Sequence, residues 1–187
     1  HNGDIELAKK LVIEAKKSGA DCVKFQTFKA ERVVAVDAPK ASYQLRTTNP
    51  NESQIDMLKK LELPLSAYRE LIMLCEDIGI IFMSTPYSEE DVEFLEELGV
   101  SAYKLASISI SEPSFLRYVA KKQKPMIIST GMSTLKEVCN GVKVVRKAGN
   151  EDFILLQCTT NYPTALEDAN VSAMITIKEA LKCIVGF

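Results

Sequence analysis

Ala102-Tyr103-Lys104-Leu105-Ala106-Ser107 is the stretch on which the fold turns. A short apolar run of this kind reads as a buried strand, and Lys104 inside it is costly unless an anion meets its ammonium. Working outward, the same design recurs along the chain. Cys22-Val23-Lys24-Phe25-Gln26 carries Lys24 in the same way. Ile80-Ile81-Phe82-Met83 runs into Ser84-Thr85-Pro86, and Met126-Ile127-Ile128 runs into Ser129-Thr130-Gly131. Ile154-Leu155-Leu156 ends in Gln157-Cys158-Thr159-Thr160. Cations and hydroxyls at the ends of several strands suit an active site that handles a phosphate or a carboxylate. An enzyme is therefore expected.

Between these runs lie helical stretches with clear punctuation. Asp4 to Ser18 spaces Leu7, Ala8, Leu11, Val12 and Ala15 as one helical face and stops at Gly19. Leu65 to Ile78 does the same with Leu65, Tyr68, Leu71, Ile72 and Cys75. Ser88 and Asp91 open a further helix as cap and capping-box partner. Pro113 suits a first turn, Ser133 is expected to open the helix carrying Leu135, Val138, Val142 and Val145, and a last helix is expected from about Val171 to Leu181. The exception is Lys29 to Leu63, a long insertion with one short helix expected near Glu52 to Leu61. Its place after a strand suits a substrate lid.

Alternating strands and helices predict an α/β fold with a parallel sheet of about six strands. Two architectures fit, an open doubly wound sheet and a TIM (β/α)8 barrel. No G-x-G-x-x-G follows a strand, and polar side chains recur at strand after strand. Both favour the barrel. The expectation is one partial barrel domain over residues 1–187, cut at both ends.

Composition narrows the partners. The 187 residues are 47% hydrophobic and carry a net charge of −2, so nothing draws the whole surface to nucleic acid or an anionic membrane. Any anion site is local. The absence of Trp argues against a base-stacking surface. Five scattered cysteines show no C-x-x-C pair, which predicts a reducing, cytoplasmic setting with neither zinc site nor disulfide frame. No signal peptide or run of 18 apolar residues stands in the chain, so no membrane partner is expected. His1 is the only histidine, and alone it makes a poor metal site.

Six ordered motifs then resemble a known family. His1-Asn2-Gly3-Asp4, Val23-Lys24-Phe25-Gln26-Thr27-Phe28, Ser84-Thr85-Pro86-Tyr87, Tyr103-Lys104-Leu105-Ala106-Ser107, Ser129-Thr130-Gly131-Met132 and Gln157-Cys158-Thr159-Thr160-Asn161-Tyr162-Pro163 are similar to the sialic acid synthases, including those of N-acetylneuraminic, legionaminic and pseudaminic acids. The resemblance implies a TIM barrel that condenses phosphoenolpyruvate with the open-chain form of an N-acetylated amino sugar. It implies that Lys24 and Lys104 bind phosphoenolpyruvate, that Thr85, Ser107 and Ser129 donate to its phosphate, and that Gln26 and Tyr162 line the sugar side. It further implies a divalent metal, Mn2+ or Mg2+, that polarises the aldehyde and whose ligands are expected beyond Phe187. A homodimer and a C-terminal antifreeze-like domain, expected to be absent here, belong to the same implied picture, and the fragment alone is expected to be inactive.

One departure bears on the chemistry. The family carries an acid two residues after the serine matched by Ser107, and here that position is Ser109. A hydroxyl cannot act as a carboxylate base near neutral pH. Two rival readings stay open: a class I aldolase forming a Schiff base on Lys104, and a non-catalytic module that binds a sugar phosphate.

Overall fold

Strand and helix alternate because apolar runs of strand length are separated by amphipathic stretches with local caps. A computed structural model describes His1–Phe187. Its residues group into two compact units, His1–Val100 and Ser101–Phe187.

The first unit opens with α1 (Ile5–Lys17), started by Asp4, whose carboxylate accepts the Leu7 N–H at 3.0 Å. Strand β1 (Cys22–Thr27) follows, then three short helices, α2 (Ala30–Val33), α3 (Ser42–Thr47) and α4 (Gln54–Lys59). Helix α5 (Leu65–Ile78), strand β2 (Ile81–Pro86) and α6 (Glu89–Glu97) complete it. β1 and β2 pair in parallel, with Lys24 opposite Met83 and Gln26 opposite Thr85. Ala8, Val12, Tyr68, Leu71, Cys75, Val92 and Leu95 form much of its core.

Several expectations need correction here. Along β1, Phe25 and Thr27 are buried but Lys24 and Gln26 are exposed. Successive side chains of a strand point to opposite faces, so the ammonium lies on the open side rather than in a buried one. Leu7, Leu11 and Leu65, placed inward by helical spacing, are 39%, 48% and 50% exposed. The insertion holds three short helices in place of one, and it is stapled by charge. Lys29 pairs with Glu62 at 2.8 Å, Lys59 with Glu31 at 2.9 Å, and Lys60 with Glu52. The Lys40 side chain, only 2% exposed, donates to the Asn49 carbonyl at 2.8 Å and to the Thr48 hydroxyl at 3.1 Å, and pairs with Glu52.

The second unit holds β3 (Tyr103–Leu105), a 3-10 turn (Ser107–Ser111), α7 (Pro113–Ala120), β4 (Met126–Ser129), α8 (Leu135–Lys147), β5 (Phe153–Leu156), α9 (Ala173–Leu181) and β6 (Ile184–Gly186). Its four strands are all parallel and lie in the order β3-β4-β5-β6. No reversal of order, and hence no topological switch point, occurs among them. Tyr103, Leu105, Met126, Ile128, Phe153 and Leu155 are buried on one sheet face, while Lys104, Ile127 and Ile154 share the other. Thr134, one residue after the expected Ser133, caps α8, with Glu137 completing a reciprocal capping box. Leu135, expected inward, is 40% exposed. No helix in the chain is long and apolar enough to cross a membrane.

Candidate active site

In the first unit, Lys24, Gln26 and Thr85 share one face of the β1–β2 pair, as their parallel register requires. The Gln26 amide donates to the Tyr87 hydroxyl at 2.8 Å, and its backbone carbonyl accepts from the Tyr68 hydroxyl at 2.7 Å. Gln26 is thus held from both ends. Loss of water around the Lys24 ammonium lowers its pKa, opposed by the neighbouring Cys22. Because the residue as a whole is exposed, that shift does not translate into stability. Thr85 is buried, and beneath it Thr27 and Ser84 share a buried hydroxyl–hydroxyl bond of 2.7 Å. Asp91 accepts the Tyr87 N–H at 3.2 Å, which fixes the turn after β2. Burial raises the Asp91 pKa, and that backbone bond and Ser88 oppose the rise.

The second unit gathers its own group at the ends of β3, β4 and β5. Lys104 is half-buried, and its ammonium donates to the Ser129 hydroxyl and to the Leu105 carbonyl, the latter at 2.6 Å. Ser129 is buried and also receives the Cys158 thiol at 3.4 Å. Ser107 accepts the Gly131 N–H at 3.0 Å. A Cβ on Gly131 would lie 2.8 Å from the Ser107 Oγ and 2.8 Å from the Thr160 methyl, so only glycine permits that approach. Lys104, Ser107 and Ser129 are therefore brought together through β4 and its following turn. Tyr162 stands apart in the long connection after β5 and is 68% exposed. Ser109 is buried within the 3-10 turn, and Glu112 at its end is exposed.

A cavity of about 580 Å³ adjoins this group. Thr130, Met132, Gln157, Cys158, Asn170 and Thr176 are among its walls, whereas Lys104, Ser107 and Ser129 are not. Cys158 links the two, touching Ser129 and lining the cavity. The Thr130 hydroxyl is committed elsewhere, donating to the Leu156 carbonyl at 2.9 Å. No group of three or more His, Cys, Asp and Glu side chains gathers anywhere in the chain. These residues do not by themselves fit a resident divalent metal. His1 instead accepts the Gly3 N–H at 3.0 Å and lies 5.8 Å from the Phe25 ring.

Residue type alone marked the lysines and the serines. It missed Tyr87, which holds Gln26, and it gave no role to Cys158, because a cysteine finishing an apolar strand is usually a small buried hydrophobe.

The model of the NeuB family matches residues 11–187. The chain belongs to the NeuB family. Among its NeuB relatives, the N,N'-diacetyllegionaminic acid synthase of Campylobacter jejuni is 45% identical over 189 residues, covering 100% of this chain and 57% of that protein. The Legionella pneumophila protein of the same name is 43% identical, covering 100% and 54%. Among solved structures, the N-acetylneuraminic acid synthetase of Leptospira borgpetersenii, crystallised in complex with citrate, superposes with a TM-score of 0.85 at 27% identity, over 100% of this chain and 60% of that one. This NeuB chain thus spans a little over half the length of the curated relatives it matches.

Proposed function

We propose that the protein condenses phosphoenolpyruvate with an N-acetylated amino sugar to give a nine-carbon acid of the sialic type and inorganic phosphate. The observation that carries this reading is the Lys104–Ser129 pair, a cation and a hydroxyl joined at the ends of adjacent parallel strands in a NeuB chain. Carbon 3 of phosphoenolpyruvate attacks the sugar aldehyde, water adds at carbon 2, and phosphate departs with its oxygen. Lys24 and Lys104 offset the negative charge of phosphate and carboxylate, and Thr85, Ser107 and Ser129 donate to their oxygens. Gln26 and Tyr162 face the sugar.

N-acetylmannosamine and related hexosamines are the sugars proposed, and the names of the two relatives above favour one of the legionaminic type. Residues 1–187 are proposed as part of a TIM barrel, supported by the unreversed parallel order β3-β4-β5-β6. A cytoplasmic homodimer is proposed for the whole protein. The divalent metal of the family resemblance finds no ligand set among these residues, and no step above runs through it.

The test is phosphate release by the whole protein, given phosphoenolpyruvate, manganese and a panel of N-acetylated hexosamines. Release that requires a sugar and is lost in Lys104→Ala is the expected result. An EDTA-treated sample reads the metal dependence separately. Borohydride trapping of a keto acid on Lys104, without phosphate release, would contradict the synthase and favour the aldolase.

A further inference from the structure

Ser129 is a hydroxyl on which two donors converge. Lys104 donates its ammonium to the Ser129 Oγ, and the Cys158 thiol donates to the same oxygen at 3.4 Å. A serine hydroxyl has one hydrogen to give and two lone pairs with which to accept. With both lone pairs engaged, the Ser129 O–H is left to act as a donor. The neighbouring Ser107 oxygen accepts a single N–H, that of Gly131, at 3.0 Å. Thr130 provides the contrast, because its hydrogen is already spent on the Leu156 carbonyl.

Oxyanions accept hydrogen bonds and donate none while fully ionised. A site for one gains from hydroxyls that are already turned to donate, since their orientation need not be rearranged on binding. We infer that Cys158 is a positioning residue that fixes Ser129 as a hydrogen-bond donor to an oxyanion. The inference rests on the phosphoenolpyruvate reading, and it assigns the thiol a role through Ser129 rather than contact with substrate. Cys158 also lines the 580 Å³ cavity.

The test uses the whole protein with Cys158→Ala, Cys158→Ser and Cys158→Val, alone and in a Ser129→Ala background. Cys158→Ala is expected to raise the KM for phosphoenolpyruvate about three- to tenfold, the range of one neutral hydrogen bond, with a smaller change in kcat. Cys158→Ser, which keeps a donor, is expected to restore the KM. Cys158→Val fills the site without a donor and should match Ala. In the Ser129→Ala background, Cys158→Ala should add nothing. Inorganic phosphate and pyruvate, used as competing inhibitors, show which end of the substrate meets Ser129, because only the affected one weakens in Cys158→Ala.

An unchanged KM in Cys158→Ala, equal damage from Ser and Ala, or a full additive effect on Ser129→Ala would each overturn the inference. Binding of phosphoenolpyruvate by calorimetry keeps this separate from the synthase reading. Binding that weakens in Cys158→Ala without any turnover supports the positioning role and sinks the synthase alone. A whole protein that binds no phosphoenolpyruvate sinks both.

Discussion

Single side chains in this protein differ most by what their polar atoms already do. Thr27 and Ser84 are both buried and share a hydroxyl–hydroxyl bond of 2.7 Å, and the Thr27 hydroxyl also bonds Tyr68. Ser84→Ala removes one partner of the Thr27 hydroxyl, which keeps Tyr68, and should cost about 1 kcal/mol in a urea melt. A single variant as stable as the parent would contradict the pairing. Ser129, by contrast, is predicted to matter for substrate. Ser129→Ala in the whole protein should lower kcat/KM for phosphoenolpyruvate roughly tenfold or more, as expected for a bond to a charged group, while Thr130→Ala should lower stability with little effect on KM. The lysines and strand-end serines were legible because cations and hydroxyls are conspicuous beside apolar runs. Lys24 was misplaced in depth, because composition says that a run is a strand but not which of its faces is covered.

Elements are set by local chemistry at their ends and by close approach along their sides. Gly141 lies inside α8, where a Cβ would come within 2.7 Å of the Ile110 Cδ1 and 3.0 Å of the Ile110 carbonyl. Gly141→Ala should therefore destabilise by about 1–3 kcal/mol, despite the roughly 1 kcal/mol that alanine offers a helix, and Ile110→Val should relieve part of it. A variant more stable than the parent would show that the 3-10 turn carrying Ser109 does not press on α8. Helix α5 holds two buried acids. Burial pushes the Cys75 thiol up to about 11 and the Tyr68 hydroxyl up to about 12. Between pH 9 and 11 the unfolded thiol loses a proton that the folded one keeps, so stability falls as pH rises, and the same holds for Tyr68 between 10 and 12. Each group contributes a slope of about 1.4 kcal/mol per pH unit in its window. Denaturant melts of Cys75→Ala and Tyr68→Phe should show a shallower alkaline decline than the parent, and identical slopes would contradict the burial account. The cap at Ser88 and the ends of α5 could be read from sequence, since capping is local. The exposed Leu7, Leu11, Leu65 and Leu135 could not. Helical spacing gives the direction of an apolar stripe but not the width of what covers it.

For the molecule as a whole, alternation of strand and helix was plain in the sequence, and the structure has the expected six strands. Strand order was not legible, because pairing between β3, β4, β5 and β6 depends on contacts distant in the chain. The insertion after β1 was read as a long connection with one short helix, because the ion pairs that staple it join residues apart in the chain: Lys40, Glu52 and Lys60 form one network. The central claim is that this NeuB chain makes a carbon–carbon bond at the expense of phosphoenolpyruvate. The measurement that tests it most directly is mass spectrometry of the product from the whole protein, phosphoenolpyruvate and an N-acetylated hexosamine, with phosphate counted in the same sample. The account predicts a product equal to the sugar plus a three-carbon keto acid, with one phosphate released for each molecule formed. An unchanged sugar, or a product formed with no phosphate released, would contradict it.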